Sequence, residues 1–244
     1  MKITAIVQAR MGSTRLPGKV LQDLGGETAL GRVVRRLRRS EMVEEVVIAT
    51  TFSPNDQAIV LEARRLGIPV FIGDERDVLD RYYQAARAFP TDLVVRITSD
   101  CPLIDPHVTD LTIRAFLSER PDYASNALER TFPRGLDTEV MTASALGRAW
   151  RQARQPYERE HVTPFIYEHP EIFKVLPVTN QDDYSSHRWT LDTPEDLEFI
   201  RTVYSRFDNR DDFSWRDVLD LLAREPALVY LNRHVEQKVL HEVQ

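Results

Sequence analysis

The sequence feature that most constrains this chain is the stretch IVQARMGSTRLPGKVL, in which an apolar strand runs directly into a small, basic loop. The apolar residues over positions 3–7 predict a buried strand. The loop after it contains two glycines and also Arg10, Arg15 and Lys19. Loops that follow buried parallel strands lie at the carboxyl edge of the sheet. This loop is therefore predicted to lie where open α/β sheets bind their ligands.

The composition of the loop indicates an anion as its ligand. Small residues let backbone N–H groups approach an anion closely, and Gly12 can adopt a positive φ. Arginine adds planar, two-pronged donors that suit phosphate oxygens. We interpret the loop as a site for nucleotide phosphates, with a solvated basic turn as the alternative. It is not a Walker A motif, because Val20 follows Gly18 and Lys19, and it is not a G-x-G-x-x-G fingerprint.

The bulk composition is that of an ordinary globular protein. The chain has 244 residues, of which 42% are hydrophobic and 29% charged, and this length suits one large α/β domain. Its formal net charge is −6. Proteins that bind nucleic acid are normally basic, so this charge argues against a nucleic-acid partner. A basic loop on an acidic protein instead suggests a small anionic ligand.

Cysteine content and the length of apolar segments indicate the cellular compartment of the protein. Cys101 is the only cysteine, so no intramolecular disulfide can form and a reducing compartment is favoured. The N-terminal apolar run spans only about five residues, which is too short for a signal peptide. No segment reaches the roughly 18–20 apolar residues that a membrane span needs. We therefore expect a cytoplasmic protein with no membrane partner.

Strands and helices alternate four times in the first half of the chain. Apolar residues at helical spacing follow a candidate cap at Thr28, and another helix begins at Pro54 and ends at Gly67. Connections between parallel strands are right-handed. The alternation therefore predicts a three-layer α/β/α fold with a mostly parallel central sheet. The predicted strands cover 3–7, 46–49, 69–72 and 93–97, and the later helices cover 78–88 and 108–117.

The second half of the chain is less regular. No linker or repeat interrupts it, so we expect a single domain over residues 1–244, in two parts that cover residues 1–120 and 121–244. In the tail, Tyr230, Leu231, Val235 and Val239 suit either covering the core or contacting a partner subunit. The predicted strands are 123–126, 135–142, 173–178 and 187–191, and the predicted helices are 144–154, 158–168, 194–207 and 215–223.

Asp100 is the first candidate for chemistry, because it ends the fourth predicted strand and should emerge at the same sheet edge as the basic loop. A carboxylate facing a triphosphate is a natural Mg²⁺ ligand, since magnesium shares one or two carboxylates with substrate phosphates. The alternative is a helix cap, a role that suits Ser99 or Asp105 better. We therefore interpret Asp100 as a metal ligand.

Asp192 has a similar context, because it follows the predicted strand over residues 187–191. Thr193 and Asp196 have the spacing of a capping box, with Pro194 at the first helical position. The cap does not require Asp192, which lies one residue earlier. Asp192 is therefore either a turn residue or the second carboxylate of a metal clamp.

The loop and five later motifs together resemble the sugar-acid cytidylyltransferases, which include the CMP-sialic acid, CMP-pseudaminic acid and CMP-KDO synthetases. The agreement is best with the branch that acts in spore coat polysaccharide biosynthesis. It covers nearly the whole chain in order, so it is more specific than any single motif. The later motifs are GDERDVLDRYYQAA, VVRITSDCPLIDP, FPRGLDTEV, YEREHVTPFIY and RWTLDTPEDLEFI.

The resemblance implies a nucleotide-diphospho-sugar transferase-like fold, CTP as co-substrate and Mg²⁺ held by Asp100 and Asp192. Arg15, Lys19 and Asp100 are the residues it implies for catalysis. The residues it implies for nucleotide binding are Ala9, Arg10, Gly12, Ser13, Thr14, Arg15, Lys19, Thr50, Asp77 and Ser99.

The resemblance also implies an acceptor site in the second half of the chain. Either Arg134 or Arg159 suits a two-pronged contact with the carboxylate of a sugar acid. A helix-face histidine with an internal hydrogen bond is the alternative for His161, and a surface helix pair is the alternative for Arg159. The expected acceptor residues are Arg134, Asp137, Glu139, Arg159 and His161.

The implied reaction transfers CMP from CTP to a sugar acid and releases pyrophosphate. Two alternatives stay open. A glycosyltransferase that uses a nucleotide-sugar would normally carry a D-x-D motif, and the segment after Asp100 lacks the second acid at that spacing. A non-catalytic nucleotide sensor would not need both acids together with the complete basic loop. Related synthetases are commonly dimers, so a homodimer is also expected.

Overall fold

The centre of the computed structural model is a seven-stranded sheet, and the structure describes residues 1–237. The strand order is β3-β2-β1-β4-β6-β5-β7, and all neighbours are parallel except those of β6, which is antiparallel to both β4 and β5. The strands are β1 (Ile3–Gln8), β2 (Glu45–Thr51), β3 (Val70–Gly73), β4 (Leu93–Thr98), β5 (Tyr123–Ser125), β6 (Glu139–Thr142) and β7 (Val175–Pro177).

Helices cover both faces of this sheet. They are α1 (Ala29–Leu37), α2 (Gln57–Leu66), α3 (Val78–Ala88), α4 (Pro106–Glu119), α5 (Ala143–Gln152), α6 (Pro156–His161), α7 (Pro164–Tyr167), α8 (Pro194–Arg206) and α9 (Trp215–Arg224). Short 3₁₀ turns occur at Lys19–Leu21, Pro54–Asp56 and Pro226–Leu231. Among the described residues, none of the helices has the length and apolar composition that crossing a membrane requires.

The alternation of side chains along each strand produces the two packed faces. In β1, Ala5 and Val7 join one hydrophobic cluster with Val33 of α1. Ile6 points to the opposite face and joins a second cluster with Leu79 of α3. Because successive strand residues face opposite sides, a strand that is apolar throughout must be covered on both sides. The predicted three-layer α/β/α fold with a mostly parallel sheet is confirmed.

The local signals in the first half of the chain gave the bounds of α3 and several helix caps correctly, whereas α4 and β2 extend beyond the predicted 108–117 and 46–49. Helix α3 spans the predicted residues, and Thr28 caps α1 by accepting a hydrogen bond from the backbone N–H of Gly31. Asp105, which sequence favoured as a cap over Asp100, caps α4 through the N–H groups of residues 107 and 108. Gly67 ends α2 in the left-handed conformation with φ 63°. These caps act within one turn of the chain, so sequence alone specifies them.

Two predicted elements of the second half are wrong. The helix predicted over 158–168 is interrupted at Val162, which has φ 74°, and α7 restarts at Pro164. Proline lacks the backbone N–H that a helix needs at this position and its ring crowds the preceding turn, so Pro164 disfavours a continuous helix and instead occupies the first position of α7. The strand predicted over 135–142 begins only at Glu139, because Gly135 adopts φ 110° in a turn.

The segment over residues 187–191 is extended but is not a strand of the sheet, which corrects a third prediction. In the part of the chain that the structure describes, this segment forms only one β-bridge, between Arg134 and Arg188. The N–H of Arg134 donates to the carbonyl of His187, and the N–H of Trp189 donates to the carbonyl of Arg134. The strand predicted over 173–178 shortens to β7, and the tail after Pro226 begins as a 3₁₀ turn in which Leu228 is buried. Val239 of the predicted apolar tail lies outside the described residues.

Candidate active site

The ammonium of Lys19 lies between the two carboxylates that sequence nominated as metal ligands. Its Nζ atom is 2.8 Å from Oδ2 of Asp100 and 2.8 Å from Oδ1 of Asp192. Lys19 is 13% exposed and Asp192 11% exposed, so the three charges lie mostly out of water. The basic loop and the two acids, which are far apart in sequence, therefore form one cluster at the carboxyl edge of the sheet.

Backbone contacts place the two aspartates side by side. Asp100 follows β4, and its carbonyl oxygen accepts hydrogen bonds from the backbone N–H of Leu191 at 2.8 Å and the hydroxyl of Thr190 at 3.2 Å. Asp192 lies next along the chain. Its own N–H donates to Oδ2 of Asp196 at 2.9 Å. Asp196 is fully buried and forms the predicted capping box of α8 with Thr193. The side chain of Asp192 is thus outside the cap and faces Lys19.

The charge states of this cluster follow from its geometry. Burial by itself would lower the pKa of Lys19, but the charges of Asp100 and Asp192 and the hydrogen bonds to both outweigh it and raise that pKa. Burial would likewise raise the pKa of Asp100. The charge and hydrogen bond of Lys19 instead lower that pKa to about 2. At neutral pH Lys19 is therefore an ammonium and Asp100 an ionised carboxylate.

Two arginines also contact Asp192. Nη2 of Arg15 lies 3.1 Å from Oδ2 of Asp192, and Nη2 of Arg188 lies 2.9 Å from the same atom. Arg188 also donates to both carboxylate oxygens of Asp196 at 2.9 Å, so it holds Asp192 and the helix cap together. The sequence interpretation missed Arg188. The spacing of four residues between Arg188 and Asp192 was the sequence signal that could have indicated this ion pair.

The remaining residues predicted to bind nucleotide fall into two groups. Ala9, Thr50 and Ser99 are buried in or just beyond the strand ends, whereas Arg10, Gly12 and Thr14 are exposed on the loop. Ser13, partly exposed, accepts a hydrogen bond from the N–H of residue 16. The positive φ considered for Gly12 occurs instead at Gly18, with φ 69°.

The loop is fixed against the strands that follow it in the chain. The N–H of Met11 donates to Oδ1 of the buried Asp56 at 2.7 Å, while Oδ2 of Asp56 accepts from the hydroxyl of Thr51. Arg10 lies 3.9 Å from Glu75, which belongs to the loop before α3. The loop is therefore a neighbour of the segment that precedes α3.

A polar pocket adjoins the Lys19 cluster on the side of the second half of the chain. It has a volume of about 160 Å³, which is below the usual range for drug-sized ligands and suits a single small polar molecule. Two of the five predicted acceptor residues, Arg134 and Asp137, line it. The lining residues are Thr98, Asp100, Cys101, Arg134, Gly135, Asp137, Thr190, Asp192 and Gln237.

Arg134 differs from the other arginines around this pocket. Arg130 forms a two-pronged pair with Asp137 at 2.6 and 2.7 Å, whereas within residues 1–237 no carboxylate lies within ion-pair distance of Arg134. Burial and the nearby charge of Arg130 lower the pKa of Arg134. Arg134 is therefore a partly desolvated cation that an anionic ligand can neutralise.

The other three predicted acceptor residues lie outside the pocket. Glu139 pairs with Arg96 at 2.9 Å, and Arg159 binds Asp77 through two nitrogens at 2.5 and 3.0 Å. Asp77, which sequence assigned to the nucleotide, also caps α3. His161 ends α6, three residues before the proline that starts α7. The structure thus brings Arg159 and Asp77 together, but as an internal ion pair.

Comparison with known proteins now identifies the family. The sequence model of the family described as cytidylyltransferase matches residues 4–225. The chain belongs to the cytidylyltransferase family. The match spans both the basic loop and the two aspartates, so the cluster described above lies inside the region that defines the family.

Individual relatives agree with this assignment. The spore coat polysaccharide biosynthesis protein SpsF of Bacillus subtilis is 36% identical over 92% of this chain and 95% of its own length. A cytidylyltransferase structure from Leptospira borgpetersenii is 38% identical with a TM-score of 0.91, covering 98% of this chain and all of that one. CMP:2-keto-3-deoxy-manno-octonic acid synthetase complexed with CTP has the same fold, with a TM-score of 0.63 at 18% identity over 84% of this chain and 99% of that one.

The donor set of the cluster can be tested against a divalent metal. Among residues 1–237, no three His, Cys, Asp or Glu side chains are arranged to hold a metal by themselves. Two carboxylates, Asp100 and Asp192, do meet at one point, with both approaching the same ammonium. Magnesium commonly takes one or two protein carboxylates and completes its shell with water and substrate phosphates. In this cytidylyltransferase-family protein the residues therefore fit a metal that arrives with a triphosphate.

Proposed function

We propose that the protein transfers CMP from CTP to a sugar acid, with release of pyrophosphate, for the synthesis of a surface polysaccharide. The observation that carries the proposal is the meeting of the basic loop, through Lys19 and Arg15, with Asp100 and Asp192. Beside them lies a pocket lined by Arg134, which has no carboxylate within ion-pair distance among residues 1–237. Cations suit the phosphates, carboxylates suit a metal, and Arg134 suits the acceptor's carboxylate. Membership of the cytidylyltransferase family favours this reaction over glycosyl transfer.

In this reaction a hydroxyl oxygen of the acceptor forms a bond to the α-phosphorus of CTP. The bond from that phosphorus to the bridging oxygen of the β-phosphate breaks, and the hydroxyl proton leaves to solvent. Phosphoryl-type transfer depends mainly on positioning and on charge stabilisation. Arg15 and Lys19 would neutralise the departing pyrophosphate, and Arg134 would hold the acceptor's carboxylate in a two-pronged contact.

Asp100 and Asp192 are the residues that would hold Mg²⁺. When bound, the metal would supply positive charge to the phosphates and make the phosphorus more susceptible to attack. The chain's own part is to keep the two carboxylates adjacent, through the hydrogen bonds that Asp100 and Asp196 make with the backbone of residues 191 and 192. We further propose that residues 1–120 bind the nucleotide and that residues after 120 bind the acceptor. A homodimer and a cytoplasmic location stay predictions.

The test is pyrophosphate release from CTP and Mg²⁺ with a panel of sugar acids that includes N-acetylneuraminate and 3-deoxy-manno-octulosonate. UTP, GTP and ATP in place of CTP measure the choice of base. We expect Asp100→Asn to lower kcat by about 10²–10³, the usual cost of removing a group that stabilises transition-state charge. The matched control is Asp220→Asn, on the exposed side of α9, which should behave as wild type.

A readout independent of turnover is Mn²⁺ binding followed by electron paramagnetic resonance. With CTP present, we expect wild type and Asp220→Asn to bind the ion, and Asp100→Asn and Asp192→Asn to bind it at least tenfold more weakly. Normal activity and metal binding in both site variants would remove the metal role. Nucleotide binding without pyrophosphate release from any sugar acid would instead favour a nucleotide sensor.

A further inference from the structure

The C-terminal segment, defined here as residues 232–237, runs from a buried anchor at Asn232 to the lining of the acceptor pocket at Gln237. Asn232 anchors its start: Nδ2 donates to the carbonyl of Arg188 and to Oδ1 of Asp196, both at 2.9 Å. Asn232 is 3% exposed. The segment is therefore attached to the same buried carboxylate that positions Asp192, and its course past the pocket is fixed at that end.

The far end of the segment reaches the pocket itself. Gln237 is part of the pocket lining, together with Arg134 and Asp137. Nη1 of Arg188 donates to Oε1 of Gln237 at 2.8 Å, and Nη1 of Arg15 lies 3.4 Å from the carbonyl oxygen of the preceding residue. Two arginines of the Lys19 cluster thus hold this end of the chain against the pocket.

The contact with Arg188 determines what Gln237 offers to a ligand. A guanidinium can only donate, so the side-chain oxygen of Gln237 must face it and the amide N–H groups remain as donors. Within the described part of the chain, these N–H groups have no hydrogen-bond partner. The carboxylates of the pocket only accept when ionised, and Asp137 is already paired. A ligand rich in hydroxyl and carboxylate oxygens would find in Gln237 an uncharged donor.

We propose that Gln237 is a specificity-determining contact to the acceptor, a sugar acid, and that the C-terminal segment forms the outer wall of the acceptor site. This inference rests on the proposed function. Arg134 supplies charge for the acceptor's carboxylate. Gln237, a second residue of the same pocket lining, donates to a hydroxyl or carboxylate oxygen. Such an oxygen is present on a sugar acid but not on an acceptor of the same size that lacks hydroxyl groups.

The experiment measures pyrophosphate release with the full-length protein, CTP, Mg²⁺ and whichever of N-acetylneuraminate or 3-deoxy-manno-octulosonate the wild type uses faster. We expect Gln237→Ala to raise the KM for the sugar acid about 3- to 10-fold, the range for losing one neutral hydrogen bond. The KM for CTP and kcat should change little. The matched control is His234→Ala, an exposed side chain of the same segment, which should leave both KM values unchanged.

A second variant separates ligand contact from attachment of the segment. Gln237→Glu keeps an oxygen for Arg188 and makes that bond charge-assisted, but it removes the N–H donors and adds a negative charge near an anionic acceptor. We expect it to raise the KM for the sugar acid at least as much as Gln237→Ala. A wild-type KM in Gln237→Glu, or an equal rise for CTP and acceptor in Gln237→Ala, would overturn the contact.

The two levels of the proposal fail in different ways. If the wild type releases no pyrophosphate with either sugar acid, the proposed acceptor class is wrong and the inference falls with it. If the wild type is active but neither Gln237 variant alters the acceptor KM, only the inference is wrong.

Discussion

Replacing Lys19 with methionine removes the ammonium between Asp100 and Asp192 while it keeps a side chain of similar length. Both Lys19 and Asp192 are mostly buried, at 13% and 11% exposure. Removing one partner of a buried ion pair costs about 3–5 kcal/mol, because the remaining charge stays desolvated without a partner. Arg15 and Arg188 still neutralise Asp192 in the variant. We therefore expect the lower end, a loss of about 3 kcal/mol in the free energy of unfolding.

This loss is large enough to measure by thermal unfolding. For a domain of this size, 1 kcal/mol shifts the midpoint by about 2–4 °C, so the Tm of Lys19→Met should fall by about 6–12 °C. The matched control is Lys2→Met. Lys2 forms an ion pair with Glu45 that is also 2.8 Å long but considerably more exposed, and surface pairs contribute about 0–1 kcal/mol. Its Tm should change by no more than about 4 °C.

Adding Mg²⁺ without nucleotide extends the test. In the wild type, Lys19 already neutralises the carboxylates, so the metal should leave the Tm nearly unchanged. In Lys19→Met the two carboxylates are available to the ion. A ligand present at 100 times its Kd stabilises the folded state by about 2.7 kcal/mol, so Mg²⁺ should restore most of the lost Tm. NaCl at the same ionic strength controls for screening.

Two results would refute this reasoning. A Tm for Lys19→Met within 1 °C of wild type would mean that the ammonium does not stabilise the carboxylate pair. An equal Mg²⁺ response in wild type, Lys19→Met and Lys2→Met would mean that the ion binds elsewhere. A low Tm that Mg²⁺ does not restore would support the stabilising role of the ion pair but argue against a metal at these two aspartates.

Three further predictions concern the same cluster and pocket. A methyl group at Gly135 would lie 2.6 Å from the backbone of Trp189, in addition to the strain of φ 110°, so Gly135→Ala should lose at least about 1–3 kcal/mol in urea unfolding. The pKa of Asp100 in the folded state is lowered to about 2. Its contribution to the free energy of unfolding is therefore present above the unfolded-state pKa near 4 and is lost as the pH falls toward 2. Asp100→Asn should accordingly lose less stability than wild type over that pH interval. Arg134→Ala should raise the acceptor KM about 10- to 100-fold in the pyrophosphate assay, the range for a hydrogen bond to a charged group, and should leave the CTP KM unchanged.

The sequence specified those parts of the fold that local chemistry controls. The bounds of α3, the caps at Thr28 and Asp105, and the end of α2 at Gly67 were all predictable. Each depends on a side chain or a backbone conformation within one helical turn. The alternation of strands and helices then fixed the three-layer class, since few topologies accommodate it.

The failures were at positions where distant segments decide the local structure. The segment over residues 187–191 has strand-like composition, yet its partners are the turn at Arg134 and the carbonyl of Asp100 rather than a strand. Asp100 and Asp192 do meet, at the ammonium of Lys19. The predicted strand before Asp192, however, is not the feature that places it there. Arg188 was missed although its i,i+4 spacing to Asp192 was an available signal. Gln237 was missed because its contact with Arg188 spans 49 residues, and no spacing rule reaches that far.

The buried carboxylate of Asp196 has a consequence for how this site can vary. Its two oxygens serve the start of α8, the guanidinium of Arg188, the amide of Asn232 and the backbone of Asp192. Each of those groups holds a different part of the Lys19 cluster or its surroundings, and all of them depend on one fully buried side chain. A saturation-mutagenesis screen would therefore rank position 196 among the least tolerant in the chain, and intolerance alone would not distinguish it from the residues that perform the chemistry.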